Sequence, residues 1–432
     1  AKMPKALLKD IPALPGMETW VNVRTLGAKG DGTTDDTKAI QAAIDQYENI
    51  YVPQGWYRIT ETLKMRPGTR LIGLHPFATQ FRLDESSPAF SGFGTPKALL
   101  ESSEGGADVL NGIGINTGAY NYRAVGVKWM AGEGSYMNDI KFVGGHGGMS
   151  KPRPGEPARE WRPRAERISS PENPVAAQGM DLAWDNQHWS LWITNGGGGT
   201  FKDIWTASTY ATNGVYIDRT KTPGRIYAMS IEHHVRNEVR FNQVENWKVY
   251  CMQTEEESRE SSQCQPIEMD DCKDITFANL YMFRVIRINT PYYSSVRIRN
   301  CEDIAFLNMH NYSQIKYTND IAVYDQSKGI EIRPWELSRL IVTGDEPRRE
   351  PISTQTGVVN RLAGDFEFAE GITHDAEGNI YFCDHRMRRI FKWDVEREAL
   401  TLIADLPWKP SNLAFDSEGN LLVLFRYDPQ PG

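Results

Sequence analysis

The sequence predicts an all-β protein: a right-handed parallel β-helix, a single-stranded solenoid, over residues 17–355, followed by a partial β-propeller of one to two blades over residues 356–432. Three observations carry this expectation. A short phrase, a polar pair leading an alternating apolar run, recurs as NDIKF at Asn138, KDIWT at Lys202, KDITF at Lys273 and EDIAF at Glu302. The last two phrases stand 29 residues apart, about one coil of a parallel solenoid, in which stacked neighbours supply the core that a single coil lacks. Beyond Gly357, HDAEGNIYFCD at His374 and FDSEGNLLVLF at Phe415 repeat with a period of 41 residues, the length of one propeller blade.

Residues 1–16 read as an amino-terminal extension. The stretch VNVRTLGAKGDGTTDDTKAIQAAID starts as a strand, turns through Gly27, Gly30 and Gly32, and enters a helix with Ile40, Ala43 and Ile44 on one face. Thr34 or Asp35 is expected to cap it, and Asp31, Asp35 and Asp36 are read as capping groups rather than a calcium loop. With its sequel YVPQGWYRIT, the segment resembles the amino-terminal signature of the pectate-lyase-like superfamily of right-handed β-helices. That resemblance implies a helix covering the open end of the solenoid.

Within the solenoid, Cys272 and Cys301 hold one phase and are expected in an interior stack, while the polar residue of each phrase caps a turn or joins an Asn/Asp ladder. Lys151 to Pro174, rich in Pro and Arg and without apolar periodicity, reads as a long excursion. It is either a solvated loop or a loop closing one side of a groove, with Trp161 or an Arg on the sugar. The carboxy-terminal segment resembles the gluconolactonase and SMP-30 type of propeller, which implies Glu370 as a divalent-metal ligand. Fewer than two blades form no closed ring, so neither a lactonase site nor a bound metal or other cofactor is expected.

Composition narrows the ligand. A formal charge of −8 argues against nucleic acid as partner, and no run of eighteen apolar residues provides a membrane span. Twelve Trp and eighteen Tyr suit a carbohydrate partner, because sugar C–H faces stack on aromatic rings, as well as they suit a core. Five cysteines form no Cys-x-x-Cys pair, so neither a zinc site nor a disulfide framework is indicated. The opening AKMPKALLKD lacks an apolar signal core, which fits a cytoplasmic protein or a mature chain after signal removal; a secreted or periplasmic location is expected.

The candidate chemistry lies between Leu191 and Asp271. In SIEHHVRNEVRF, the set Glu232, His234, Arg236, Glu238 and Arg240 alternates with apolar positions, so one extended strand places it on one outward face. The next strand, WKVYCMQTEEE, stacks about 4.8 Å away, which brings Glu232 within several ångström of Glu255. Paired carboxylates at such range serve glycoside hydrolysis, and crowding by Glu255, Glu256 and Glu257 is expected to raise the pKa of at least one acid. The bland alternative is a solvated, salt-bridged face. His233 falls with the apolar set and reads as a core or turn histidine.

From Trp184 to about Arg287 the order of SLWITNGGGGTFKDIWT, the EHH phrase and the QTE phrase resembles glycoside hydrolase family 55, the β-helical exo-β-1,3-glucanases. The resemblance implies an inverting hydrolase with Glu255 as general acid and Glu232 as its acidic neighbour. Gln253 and His234 would then line the same subsite, and Glu256, Trp192, Arg236 and Trp161 are further candidates for contact with a polysaccharide or oligosaccharide substrate. Family members pair two β-helices around their cleft and this chain has one, so the group holding the attacking water is not identified. Two rivals stand beside this reading: a polysaccharide lyase, in which Arg236 or Arg240 neutralises a uronate, and a non-catalytic glycan-binding module.

Overall fold

The computed structural model describes residues 11–118, 120–143, 187–206, 211–256, 261, 264–285, 292–313, 319–344 and 362–426. Trp161, the whole Lys151–Pro174 segment and Glu257 lie outside the described residues.

Alternating apolar runs stack into a parallel β-solenoid of about nine turns. One broad sheet runs through strands Tyr136–Phe142, Gly199–Thr206, Gly224–Glu232, Trp247–Glu256, Lys273–Arg284 and Glu302–Ser313. A second wall runs through Gln187–Ile193, Ala211–Thr220, Asn237–Asn242, Gln265–Asp270, Tyr292–Arg299 and Asn319–Asp325. Each strand turns every second residue inward, so Ile226, Val249, Phe277 and Phe306 stack along the axis in one continuous core. Two antiparallel strands, Ile330–Ile332 and Glu336–Val342, close the last coil.

Helix Thr37–Gln46 buries Ile40, Ala43 and Ile44 into that core, as expected. Its N-cap is Asp36 rather than Thr34 or Asp35. The Asp36 carboxylate instead accepts the amides of Lys29 and Gly30 at 2.6 and 2.9 Å, and Asp35 accepts the Thr37 amide at 3.0 Å. These acids satisfy turn and helix-end donors that would otherwise be orphaned.

The recurring phrases mark corners, but two different ones. Asp139 and Asp203 stand in register with Ala228, Cys251, Asn279 and Asn308, all at positive φ, forming a kink along the middle of the broad sheet. Asp274 and Asp303 align with Asn246, again at positive φ, at the start of that sheet. Asn and Asp tolerate this left-handed backbone better than other non-glycine residues, and Asn308 donates to Asn279 at 2.7 Å. Asn279→Ala is expected to cost about 1 kcal/mol by forcing a plain Cβ into this conformation; Asn279→Gly should cost less, with urea midpoints as the check. Cys272 and Cys301 are both buried one residue ahead of paired strands, the expected interior stack.

The carboxy-terminal strands form two small antiparallel sheets. Ala369–His374, Ile380–Asp384, Arg389–Asp394 and Ala399–Asp405 make one four-stranded antiparallel meander, and Lys409–Phe415 with Leu421–Arg426 a hairpin. The 41-residue repeat is visible as two equivalent turns, in which Asp375 accepts the Asn379 amide and Asp416 the Asn420 amide, both at 2.8 Å. A partial propeller is not shown. These strands instead lie on the second solenoid wall: Trp408 donates to the Gly94 carbonyl at 2.9 Å, Asn300 to Leu400 at 3.0 Å, and Arg299 covers the Phe391 ring. Glu370 pairs with His385 at 2.9 Å and joins no metal-ligating cluster among the described residues.

Candidate functional site

SIEHHVRNEVRF is not one strand. Strand Gly224–Glu232 ends at Glu232, His233 takes φ +69°, and the amides of Val235 and Arg236 bond the Thr212 carbonyl before Asn237 opens a strand of the other wall. The corner is tied from inside by Glu238, whose carboxylate accepts the His234 amide at 3.2 Å and pairs with His234 Nδ1.

This corner scatters the expected face. His234 is fully buried between Glu238 and Thr206 and does not line a subsite. Burial pushes its imidazole down to about 3 and pushes the Glu238 carboxyl well up. Arg236 is buried in the corner. Arg240 points to the other wall, fully buried among Asp405, Asp270 and Glu268. Glu256 also turns inward; it is fully buried, and burial raises its carboxyl well above the usual range despite nearby Arg284. Trp192 stands on the second wall, parallel to Tyr216 and under Lys128, away from the acidic pair. These four substrate contacts expected from sequence, His234, Arg236, Glu256 and Trp192, are therefore withdrawn.

What remains is compact. Glu232 and Glu255 occupy paired positions of adjacent rungs, and both point outward, partly exposed. Ser230 donates to Glu232 at 2.6 Å and Gln253 to Glu255 at 3.2 Å, so each acid is held by the outward residue two places before it on its own strand. The left-handed turn at His233 folds its ring back toward the pair, with Nε2 3.7 Å from Glu232, while its amide bonds the Glu255 carbonyl at 3.1 Å. Sequence pattern missed His233 at this site, because alternation placed it inward; the signal would have been a corner between two walls. One oxygen from each acid and a nitrogen of His233 all lie within 4.8 Å of one another, the one cluster among the described residues able to hold a metal ion.

Fold and site together define a class: a parallel β-helix carrying an open acidic pair on its outer sheet. Comparison with known proteins adds four likenesses. Residues 20–86 match the family model described as rhamnogalacturonase A/epimerase, pectate lyase-like. A glucan 1,3-β-glucosidase of Cochliobolus carbonum is 24% identical over 252 residues, covering 55% of this chain and 30% of that protein. A probable glucan endo-1,3-β-glucosidase of Arthroderma benhamiae is 33% identical over 143 residues, covering 30% of this chain and 16% of that protein. The chain thus spans less than a third of the length of these relatives. Among solved structures, the phiAB6 tailspike, in complex with oligosaccharides of the Acinetobacter baumannii surface polysaccharide, aligns with 90% of this chain and 67% of its own at 12% identity and a TM-score of 0.44.

Proposed function

We propose that the chain hydrolyses glycosidic bonds of a neutral polysaccharide of the β-1,3-glucan type, with Glu255 as general acid in an inverting mechanism. The observation that carries this reading is the outward pair Glu232–Glu255, held open on the sheet by Ser230 and Gln253. Inversion requires about 6.5–9.5 Å between the acid and the group that activates water, and Glu232 sits nearer than that. Glu232 is therefore assigned as the electrostatic neighbour and not as the group that activates water. The two relatives named as glucan glucosidases support the substrate class, and such a substrate fits a secreted or periplasmic enzyme.

The lyase reading stands as the alternative: Alginate lyase 7 of Azotobacter vinelandii, 34% identical over 97 residues, favours it, whereas the two guanidinium groups named to neutralise a uronate, Arg236 and Arg240, are both buried. Reducing-end release from β-1,3-glucans and polyuronides, with ultraviolet absorbance followed in the same tubes, tests the choice. Release from the glucan without absorbance gain is expected; an absorbance gain on a polyuronide would establish the lyase, and silence with retained binding would leave a binding module.

A further inference from the structure

Beside the acidic floor stand aromatic side chains that the hydrolase reading does not use. The outward column through Ser230 and Gln253 continues to Tyr281, and the column through Glu232 and Glu255 continues to Phe283 and Tyr312. Tyr281 and Phe283, two residues apart on one strand, lie side by side with centroids 6.1 Å apart and planes 12° apart. Tyr312 backs Phe283 from the next rung at 5.6 Å and 7°. Tyr281 is in register with Gln253 and Phe283 with Glu255, so both rings stand one rung from the acid. Tyr281 and Tyr312 remain 39% and 47% exposed, although Phe277 and Phe306 on the same strands are completely covered. Burial, Tyr312 and Glu255 all act to raise the Tyr281 phenol above its ordinary range, which places its hydroxyl within reach of the acid's field.

The opposite border is aromatic too. Trp205 precedes Ser230 in the same column and packs edge-on against Phe77 at 5.9 Å. Trp205 to Tyr281 spans three rung spacings, about 14 Å. The floor between them is polar and acidic, its two walls are ring faces, and the described cation nearest in that column, Lys141, is engaged by the Asp203 carbonyl at 2.9 Å and by Asp139 at 3.3 Å.

We infer that the Tyr281–Phe283 plane, backed by Tyr312, is a stacking platform for a neutral hexopyranose ring set against Glu255. The inference rests on the proposed hydrolase reading for its substrate class, but not for its geometry. A pyranose offers an apolar C–H face to the rings and an equatorial rim of hydroxyls to Glu232, Glu255, Ser230 and Gln253. A flat apolar surface edged by hydroxyls and carboxylates matches that division, and electrostatic repulsion by two carboxylates disfavours a uronate in the same place.

The test is binding of unbranched β-1,3-gluco-oligosaccharides to the inactive Glu255→Gln variant by calorimetry, with oligouronates as the charged comparison. Removing the ring in Tyr281→Ala is expected to weaken binding about tenfold, the size of one stacking contact. Tyr281→Phe should bind like the parent, whereas Tyr281→Leu, which keeps apolar bulk without a flat face and guards against a folding artefact in the alanine variant, should behave like Tyr281→Ala. Equal binding by parent, Ala and Leu variants would overturn the platform, as would a parent that prefers oligouronates or binds no member of the panel. Failure of the hydrolase reading looks different: ring-dependent binding would persist while wild type releases no reducing ends.

Discussion

Glu255→Gln is expected to lower reducing-end release by about 10²–10⁴-fold, the usual contribution of a positioned general acid, without loss of fold. The fold should survive because Glu255 is a partly exposed outward residue and glutamine preserves its length and its hydrogen bond from Gln253. Glu232→Gln should cost less, since Glu232 shapes the field around the proton and does not itself transfer it. Thermal melts of both variants matching wild type would assign the losses to chemistry; equal losses in the two would instead indicate that the carboxylates act as a nucleophile and acid pair, which their closeness within 4.8 Å permits. The anomeric form of the first product, followed by NMR, separates the two mechanisms independently.

The solenoid was legible because its signals are local and repeated. The 29-residue step from KDITF to EDIAF is visible as direct register of Lys273 with Glu302 and Phe277 with Phe306, and Cys272 over Cys301 follows from the same step. Pairing of Glu232 with Glu255 was legible in kind, since adjacent strands had to bring them near. The corner at His233 to Arg236 was not, for a physical reason. It contains neither Gly nor Pro, and what holds it is the buried Glu238 accepting the His234 amide together with a long-range tie, the Val235 and Arg236 amides on the Thr212 carbonyl. Alternation carried through that bend assigned His234, Arg236 and Arg240 to a face from which the bend removes them. The aromatic platform was hidden by a related ambiguity, because Tyr281, Phe283 and Tyr312 read like core residues until register shows which side of the sheet they occupy.

The largest stability effect is expected at the seam between the solenoid and the carboxy-terminal meander. Arg240 and Arg389 lie fully or almost fully buried there, with Glu268, Asp270 and Asp405 between them. Arg389 also bonds Glu268 and Asn237, so the network joins residues more than a hundred positions apart. Removing one member of a buried ion network strands its partners, and Arg240→Met is expected to destabilise the protein by about 3–5 kcal/mol. Chemical denaturation measures the loss, and limited proteolysis should cut the meander free from the variant before the solenoid. Acid offers the same test without mutation. Burial alone would raise the Glu268 carboxyl, but Arg389, Arg240, Arg297 and Arg299 hold it well below the usual range. A carboxyl depressed in the folded state contributes stability above its unfolded value of about 4.3 and loses that contribution as pH falls toward the folded value. Attachment should thus be constant from pH 8 to about 5 and weaken below about 4. A meander that detaches at neutral pH in high salt would contradict this, because buried pairs are little screened, and would mean that Trp408 and the other apolar contacts contribute too little to hold the seam.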